Sequence, residues 1–279
     1  VQVVILPLIS AICWAFNGIA YRKGVKNVSI FTANFHRTLF ATVYFLPFTA
    51  WELTGITLDM QTAIVLVISA ILSFYIGDLS YFASLKRSPV SIALPASSTY
   101  PVYVVLLSTI VYGEKLSLNA LFSAILVFLA IYIIYGSGEK GETSGVFYAL
   151  LAAFSWALAI LTLDFLTDRL PVSVVAFVRL LLCLILLIFT VKSHEIFEKD
   201  SVIFSGVIGG FFSFLGIMFF ITAIKISNSW NVVQPSSSSP VFAAIFSAIF
   251  LKERLNSRLL FGISVVIIAV ILLLVPLHL

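Results

Sequence analysis

Apolar runs of about twenty residues, the length that crosses a bilayer as a helix, follow one another along all 279 residues of this chain. Ten can be counted: residues 3–21, 30–50, 61–83, 89–111 and 117–135, then 144–164, 172–191, 201–223, 229–250 and 257–276. Only 10% of the residues are charged and 61% are hydrophobic, whereas a soluble domain covers its surface with roughly 25% charged residues. A mean hydropathy of +1.16 points the same way. The chain therefore reads as an all-α, multi-pass integral membrane protein. Its loops leave no room for a soluble domain, so its chemistry belongs inside the bilayer.

The ten runs fall into two similar sets. A shift of 142 places Trp14 on Trp156, Phe35 on Phe177 and Arg37 on Arg179. A shift of 139 places Gly77 on Gly216, Lys86 on Lys225, Pro101 on Pro240 and Glu114 on Glu253. The polar, glycine-rich stretch 136–143 reads as a linker between a first repeat, 1–135, and a second, 144–279. Five crossings per repeat is an odd number, so the second repeat enters the membrane from the opposite side. Such an inverted repeat is a recurring plan of secondary transporters, with the binding site at the repeat interface near the midplane.

The net charge of +4 does not mark a nucleic-acid binder, because the basic residues are scattered over loops rather than gathered in a stripe. With Arg37 and Arg179 set aside as lying within spans, Arg22, Lys23, Lys26, Lys86, Arg87, Lys140, Lys192, Lys199, Lys252, Arg254 and Arg258 fall in loops, or at a span's first turn, on one side. Only Lys115, Arg169 and Lys225 fall on the other. By the positive-inside rule this count places both termini outside. Cys13 and Cys183 lie isolated in apolar runs and read as packing residues.

Polar residues within the spans are the candidates for function, because each is costly there and needs a partner, a proton or water. Asp78, deep in the third run, has Ile217 as its repeat equivalent, so the common fold does not demand its charge. It reads as a group that pairs with a substrate amine or carries a proton, with a structural bond through Tyr75 or Tyr81 as the alternative. Arg37 and Arg179 are equivalent and read as scaffold or gating residues that snorkel to an interface or cap carbonyls, with anion binding at the central cavity as the alternative. They are expected toward opposite membrane faces, which would not let them grip one ligand together. Ser10, Trp14, Asn17 and Tyr21 share a helical face. Pro95 and Pro101, and in the second repeat Pro235 and Pro240, interrupt the fourth and ninth runs among serines and threonines. Paired interruptions of this kind point to a binding site. The expected cavity lining is Trp14, Asn17, Asp78, Tyr81, Ser98, Tyr100, Trp230, Asn231, Gln234 and Ser238. Glu114 and Glu253 read as helix-terminus partners, and Gly206–Gly210 as a helix-contact motif. No catalytic constellation, cofactor motif or metal-ligand spacing is present in the sequence, so no enzyme activity, cofactor or metal is expected.

These residues resemble the drug/metabolite transporter superfamily, specifically its EamA-like ten-helix members. The carriers are Trp14 and Trp156, Arg37 and Arg179, Pro101 and Pro240, and the turns Gly113-Glu-Lys-Leu116 and Lys252-Glu-Arg-Leu255. The resemblance covers essentially the whole chain. It implies a basket of ten helices around a central cavity, alternating access, and export or exchange of small metabolites, often amino acids. It also implies termini in the cytoplasm, opposite to the charge count, and the 51–59 loop here lacks the basic residues usual in the family. Asp78 departs from the usual apolar third helix.

The function expected is a secondary active transporter of small polar metabolites, amino acids or related compounds, in the cell (plasma) membrane. Its partners would be the substrate, the lipid bilayer, and protons or an exchanged substrate, with the chain acting as monomer or homodimer. A nucleotide-sugar or phosphorylated-metabolite antiporter is the alternative. A membrane-embedded enzyme or a non-transporting assembly subunit is the alternative of another class.

Overall fold

The computed structural model describes residues 2–112, 118–135, 143–227, 229–253 and 255–272. Among them the secondary structure is helical throughout, in ten spans. They are α1 (Gln2–Gly24), α2 (Ile30–Thr49), α3 (Met60–Arg87), α4 (Val90–Ser97 and Tyr100–Tyr112), α5 (Leu118–Tyr135), then α6 (Thr143–Arg169), α7 (Val172–Ile188), α8 (Ser201–Ile226), α9 (Ser229–Ser236 and Ser239–Leu251) and α10 (Ser257–Leu272). Both proline-interrupted runs are broken helices. The stretch 136–142 and the turn 113–117, which includes Glu114, lie outside the described residues.

The outer surface is apolar, and the interior sets buried polar groups among apolar core clusters. Val43, Ile110, Phe122, Phe147, Phe189 and Phe261 face outward, while Asn17, Asn34, Arg37, Thr38, Arg179 and many serines are buried. Lipid is as apolar as the outer side chains, so apolar residues serve on both sides, and the polar groups are confined to the interior where partners are available.

Packing follows the repeat. α1 lies on α8 and α6 on α3, α1 on α9 and α6 on α4, α2 on α8 and α7 on α3. Three equivalent pairs, α2 with α7, α4 with α9 and α5 with α10, pack on each other directly. Their contacts run antiparallel. Thr49, at the end of α2, donates to the carbonyl of Ser173 at the start of α7. The amides of Val90 and Ser91, opening α4, donate to Glu253 just beyond α9 at 2.9 and 3.0 Å. Lys252, in the left-handed region at φ 55°, ends α9 and delivers that carboxylate to the positive end of α4. Glu253 is thus a helix-terminus partner.

Small residues let the backbones approach. A Cβ on Gly210 would lie 2.6 Å from the Phe40 Cβ and 3.0 Å from the Ala41 amide, which seats α8 against α2. The loop after α7 is held to α2 by Glu195, whose Oε2 accepts from the Ser29 amide at 2.8 Å and the Thr32 hydroxyl at 2.6 Å. Burial pushes the Glu195 carboxyl up, but the Thr32 and Ser29 hydrogen bonds outweigh it and hold it at about 2, below the ordinary 4.5. Its contribution to stability is therefore complete above about pH 4.5 and lost as pH falls toward about 2. Between about pH 5 and pH 3 the melting temperature of the wild type should fall more than that of Glu195→Gln; parallel curves would show that this cap contributes nothing.

Candidate functional site

The sequence places unusual backbone where the halves meet. In α4 the helix breaks at Ser98–Thr99, and in α9 at Ser237–Ser238. Pro101 and Pro240, two residues into the second halves, cannot donate to the preceding turn. Hydroxyls take up carbonyls there: Ser97 donates to Leu94, Thr99 to Ala96, Ser237 to Val233 and Ser238 to Pro235. The breaks touch through the hydroxyls of Ser98 and Ser239 at 3.0 Å, and through Tyr100 and Ser236 at 2.5 Å. In α3 a π-helical stretch, Ile71–Gly77, precedes Asp78. The equivalent stretch of α8, 210–216, is regular α-helix. Wide turns of this kind often accompany functional sites.

A cavity of about 130 Å³ lies between these elements, well above the ~10–15 Å³ that one water needs on such a measure. Trp14, Asn17, Asp78, Tyr81, Ser98 and Tyr100 line it, as do Arg37 and Arg179. Ser238 does not line it; its neighbour Ser239 does, because the break at 237–238 turns Ser238 onto the Pro235 carbonyl. The side chains of Trp230, Asn231 and Gln234 lie outside the described residues. Pro95, Pro101 and Pro240 are buried at the two breaks and Pro235 is half-buried.

The walls repeat the duplication. Trp14 contacts Phe220 with centroids 5.0 Å apart, and Trp156 contacts Tyr81, the equivalent pair, at 5.4 Å. Each indole rests on a glycine of the other repeat: a Cβ on Gly77 would lie 2.5 Å from Trp156, and one on Gly216 2.8 Å from Trp14.

The charges break that symmetry. Asp78 is bonded on both oxygens, by the Arg37 guanidinium and by the Trp156 indole N–H at 3.0 Å. Its partners are therefore not Tyr75 or Tyr81 on its own helix, as the sequence alternative had it. Arg37 also donates through Nε and Nη2 to Asn34 Oδ1 at 3.2 and 3.0 Å. Asn34 in turn donates to the Phe74 carbonyl in the π-helical stretch at 2.8 Å.

The expectation that Arg37 and Arg179 sit at opposite faces is overturned. Both line this cavity, and their guanidinium carbons lie 5.1 and 4.8 Å from the centroid of the same Phe74 ring. Depth explains it. Each is the eighth residue of its helix, about 12 Å in at 1.5 Å per residue, close to the middle of a ~30 Å hydrocarbon layer. The pseudo-two-fold axis lies in that middle plane, so equivalent residues at that depth meet.

Sequence reasoning missed Phe74, Ser213 and Ile160 as lining residues and gave Trp156 only a scaffold role. Phe74 and Ser213 are repeat equivalents of unlike chemistry, so the mismatch that singles out Asp78 and Ile217 was available for them too. Within the lining, Asn17 Oδ1, the Tyr81 hydroxyl and Arg179 Nε are buried without a hydrogen-bond partner. A second, basic pocket opens at the ends of α1, α3 and α9, bounded by Arg22, Lys23, Lys26, Lys86 and Glu253. Among the described residues no group of His, Cys, Asp and Glu side chains has the arrangement of a metal site.

Comparison with known proteins supplies the remaining finding. The model of the EamA-like transporter family matches residues 2–136 and again 143–275. A protein of Archaeoglobus fulgidus named "Uncharacterized transporter" is 76% identical over 273 residues, covering 98% of each chain. Protein LicB of Haemophilus influenzae is 26% identical over 212 residues, 72% of this chain and 71% of its own. A solved crystal structure, 14% identical, superposes with a TM-score of 0.66 over 97% of this chain and 95% of that one, which shows a shared fold.

Proposed function

The chain belongs to the EamA-like transporter family, and from that premise we propose that it is a secondary active transporter of small polar metabolites, amino acids or related compounds, that bind in the central cavity. The observation that carries this reading is the set of three partnerless buried polar atoms, Asn17 Oδ1, Tyr81 OH and Arg179 Nε, belonging to residues that line one cavity. A buried group left unsatisfied costs about 1–3 kcal/mol. A ligand presenting both donors and acceptors offsets that cost, and aromatic walls of Trp14, Tyr100 and Phe220 suit its apolar parts. The volume of about 130 Å³ favours an amino-acid-sized molecule over a nucleotide sugar, since drug-sized ligands occupy pockets of roughly 300–1,000 Å³.

Exchange between faces would follow from rocking of the two repeats about the broken helices α4 and α9, whose breaks meet beside the cavity. The sequence carries no phosphate-binding loop, so the energy would come from an ion or exchange gradient. Asp78 is the carboxylate lining the cavity, and protonating it would release Arg37. In proteoliposomes loaded with amino acids, counterflow should be measurable and should vary with pH in the wild type. Asp78→Asn, whose amide oxygen still accepts from Trp156 or Arg37 but whose NH2 cannot accept from the other, should flatten that pH dependence. An unchanged pH profile rejects the proton role. Absence of counterflow across the amino-acid panel, together with absence of any ligand-induced rise in melting temperature, rejects the transport reading and favours a non-transporting assembly subunit.

A further inference from the structure

We infer that Arg179 is an oxyanion subsite: the carboxylate or phosphate group of the bound molecule docks on its guanidinium, beside the Phe74 ring, while Asp78 keeps Arg37 for the protein. The inference rests on the cavity being the transport site only for the claim that this molecule is the cargo.

The two arginines occupy the same position in the two repeats, yet their surroundings differ in one direction. Arg37 has Asn34 and Asp78 as resident acceptors. The residues equivalent to those acceptors in the second repeat are Ala176 and Ile217. The cation is therefore present in both halves, and both of its partners are missing in one. Arg179 is 2% exposed, its Nε has no hydrogen-bond partner, and among the described residues its guanidinium makes no ion pair. Its guanidinium carbon lies 4.8 Å from the centroid of Phe74, the ring that Arg37 also approaches. A ring face attracts a cation but leaves the N–H edge free.

Charge within the cavity agrees. Its lining holds two guanidinium groups and one carboxylate, and the carboxylate is already bonded on both oxygens. One positive charge is left over at mid-membrane depth, where an isolated ion is expensive. A planar guanidinium donates two parallel N–H bonds to a carboxylate or phosphate, which is why arginine suits such groups. Asn17 Oδ1 and the Tyr81 hydroxyl, also without partners, lie on the α1 and α3 walls and can accept from an amine or hydroxyl of the same molecule.

The test uses the purified full chain in detergent and in proteoliposomes. The probes are L-phenylalanine and L-alanine as carboxylates, L-phenylalaninamide and L-alaninamide as their uncharged-end counterparts, and glycerol 3-phosphate as a phosphate monoester. Thermal shift against concentration gives relative affinities. Wild type should bind the carboxylates, the phosphate ester or both, and should bind the amides at least tenfold more weakly. Which oxyanion class binds identifies the natural one. Arg179→Gln should lose about tenfold to hundredfold in affinity for the oxyanion probe, and Arg179→Lys should lose less. Without ligand, Arg179→Gln should melt no lower than wild type, since it removes a buried charge that, among the described residues, has no ion-pair partner of its own, Asp78 being bonded to Arg37 and Trp156. A role confined to the scaffold predicts the reverse: a lower melting temperature without ligand and unchanged relative affinities. That result, equal binding of acids and amides, or no binding by any probe, overturns the inference. Oxyanion binding lost in Arg179→Gln but without flux in wild-type proteoliposomes leaves the subsite standing and removes the transport reading instead.

Discussion

Asp78→Leu is expected to lower the stability of the folded protein by about 3–5 kcal/mol, the usual result of breaking a buried ion pair from one side. It leaves the Arg37 guanidinium, 1% exposed, with the neutral Asn34 amide as its remaining acceptor. Arg37→Met should cost less, about 3 kcal/mol, because the Asp78 side chain is 17% exposed to the cavity and can be hydrated or take up a proton. The double variant Arg37→Met/Asp78→Leu should recover most of the loss, since matched apolar groups replace an ion pair at little cost. A denaturant or SDS unfolding series on the four proteins measures the coupling. If the losses simply add, the two side chains do not act as a pair and the account of the site fails.

The second large effect concerns the two glycine–tryptophan seats. Gly77→Ala puts a methyl group 2.5 Å from the Trp156 ring, and Gly216→Ala puts one 2.8 Å from Trp14. Overpacking of this kind costs roughly 1–3 kcal/mol. The two should not be equal. Trp156 is held by its hydrogen bond to Asp78, so moving it away also loosens the pair that satisfies Arg37. At the position equivalent to Asp78 the second repeat has Ile217, which offers no acceptor, so the Trp14 ring can shift more cheaply. Gly77→Ala should therefore unfold more readily than Gly216→Ala, and only Gly77→Ala should alter the pH dependence of transport. Equal losses, or a pH effect in Gly216→Ala, would contradict the asymmetry. Differential unfolding and proteoliposome flux read both.

The span count and the repeat were legible because lipid imposes them. Each crossing needs about twenty apolar residues, and an odd number per repeat forces inversion, now visible in the antiparallel contacts of α2 with α7 and α4 with α9. The broken helices were legible because two prolines recur at matched places. What the sequence did not convey was depth. Arg37 and Arg179 read as residues near opposite faces, because position along a run was taken without the axis about which the runs are exchanged. Nor could hydropathy show that α3 widens into a π-helical stretch at Ile71–Gly77, which turns Phe74 between the arginines. Comparing the repeats was the more sensitive instrument. Unlike pairs such as Asp78/Ile217, Tyr100/Ser239 and Phe74/Ser213 all line the cavity, and Asn34/Ala176 decides which arginine has a resident partner.

The exchange of packing partners also bears on how such a chain comes to exist. A ribosome delivers the first repeat before the second, yet α1 is covered by α8 and α3 by α6. A nascent chain of five spans thus waits in the membrane with the Gly77 seat empty and Asp78 lacking the Trp156 indole. Arg37, Asn34 and Asp78 all belong to that first instalment. Their charges can be matched at once, so the waiting half does not hold an isolated ion in lipid. Arg179 is made only when a finished core is about to close around it. The order of synthesis is compatible with leaving the unmatched cation to the second half, and a chain with the repeats encoded in reverse order would lose that protection.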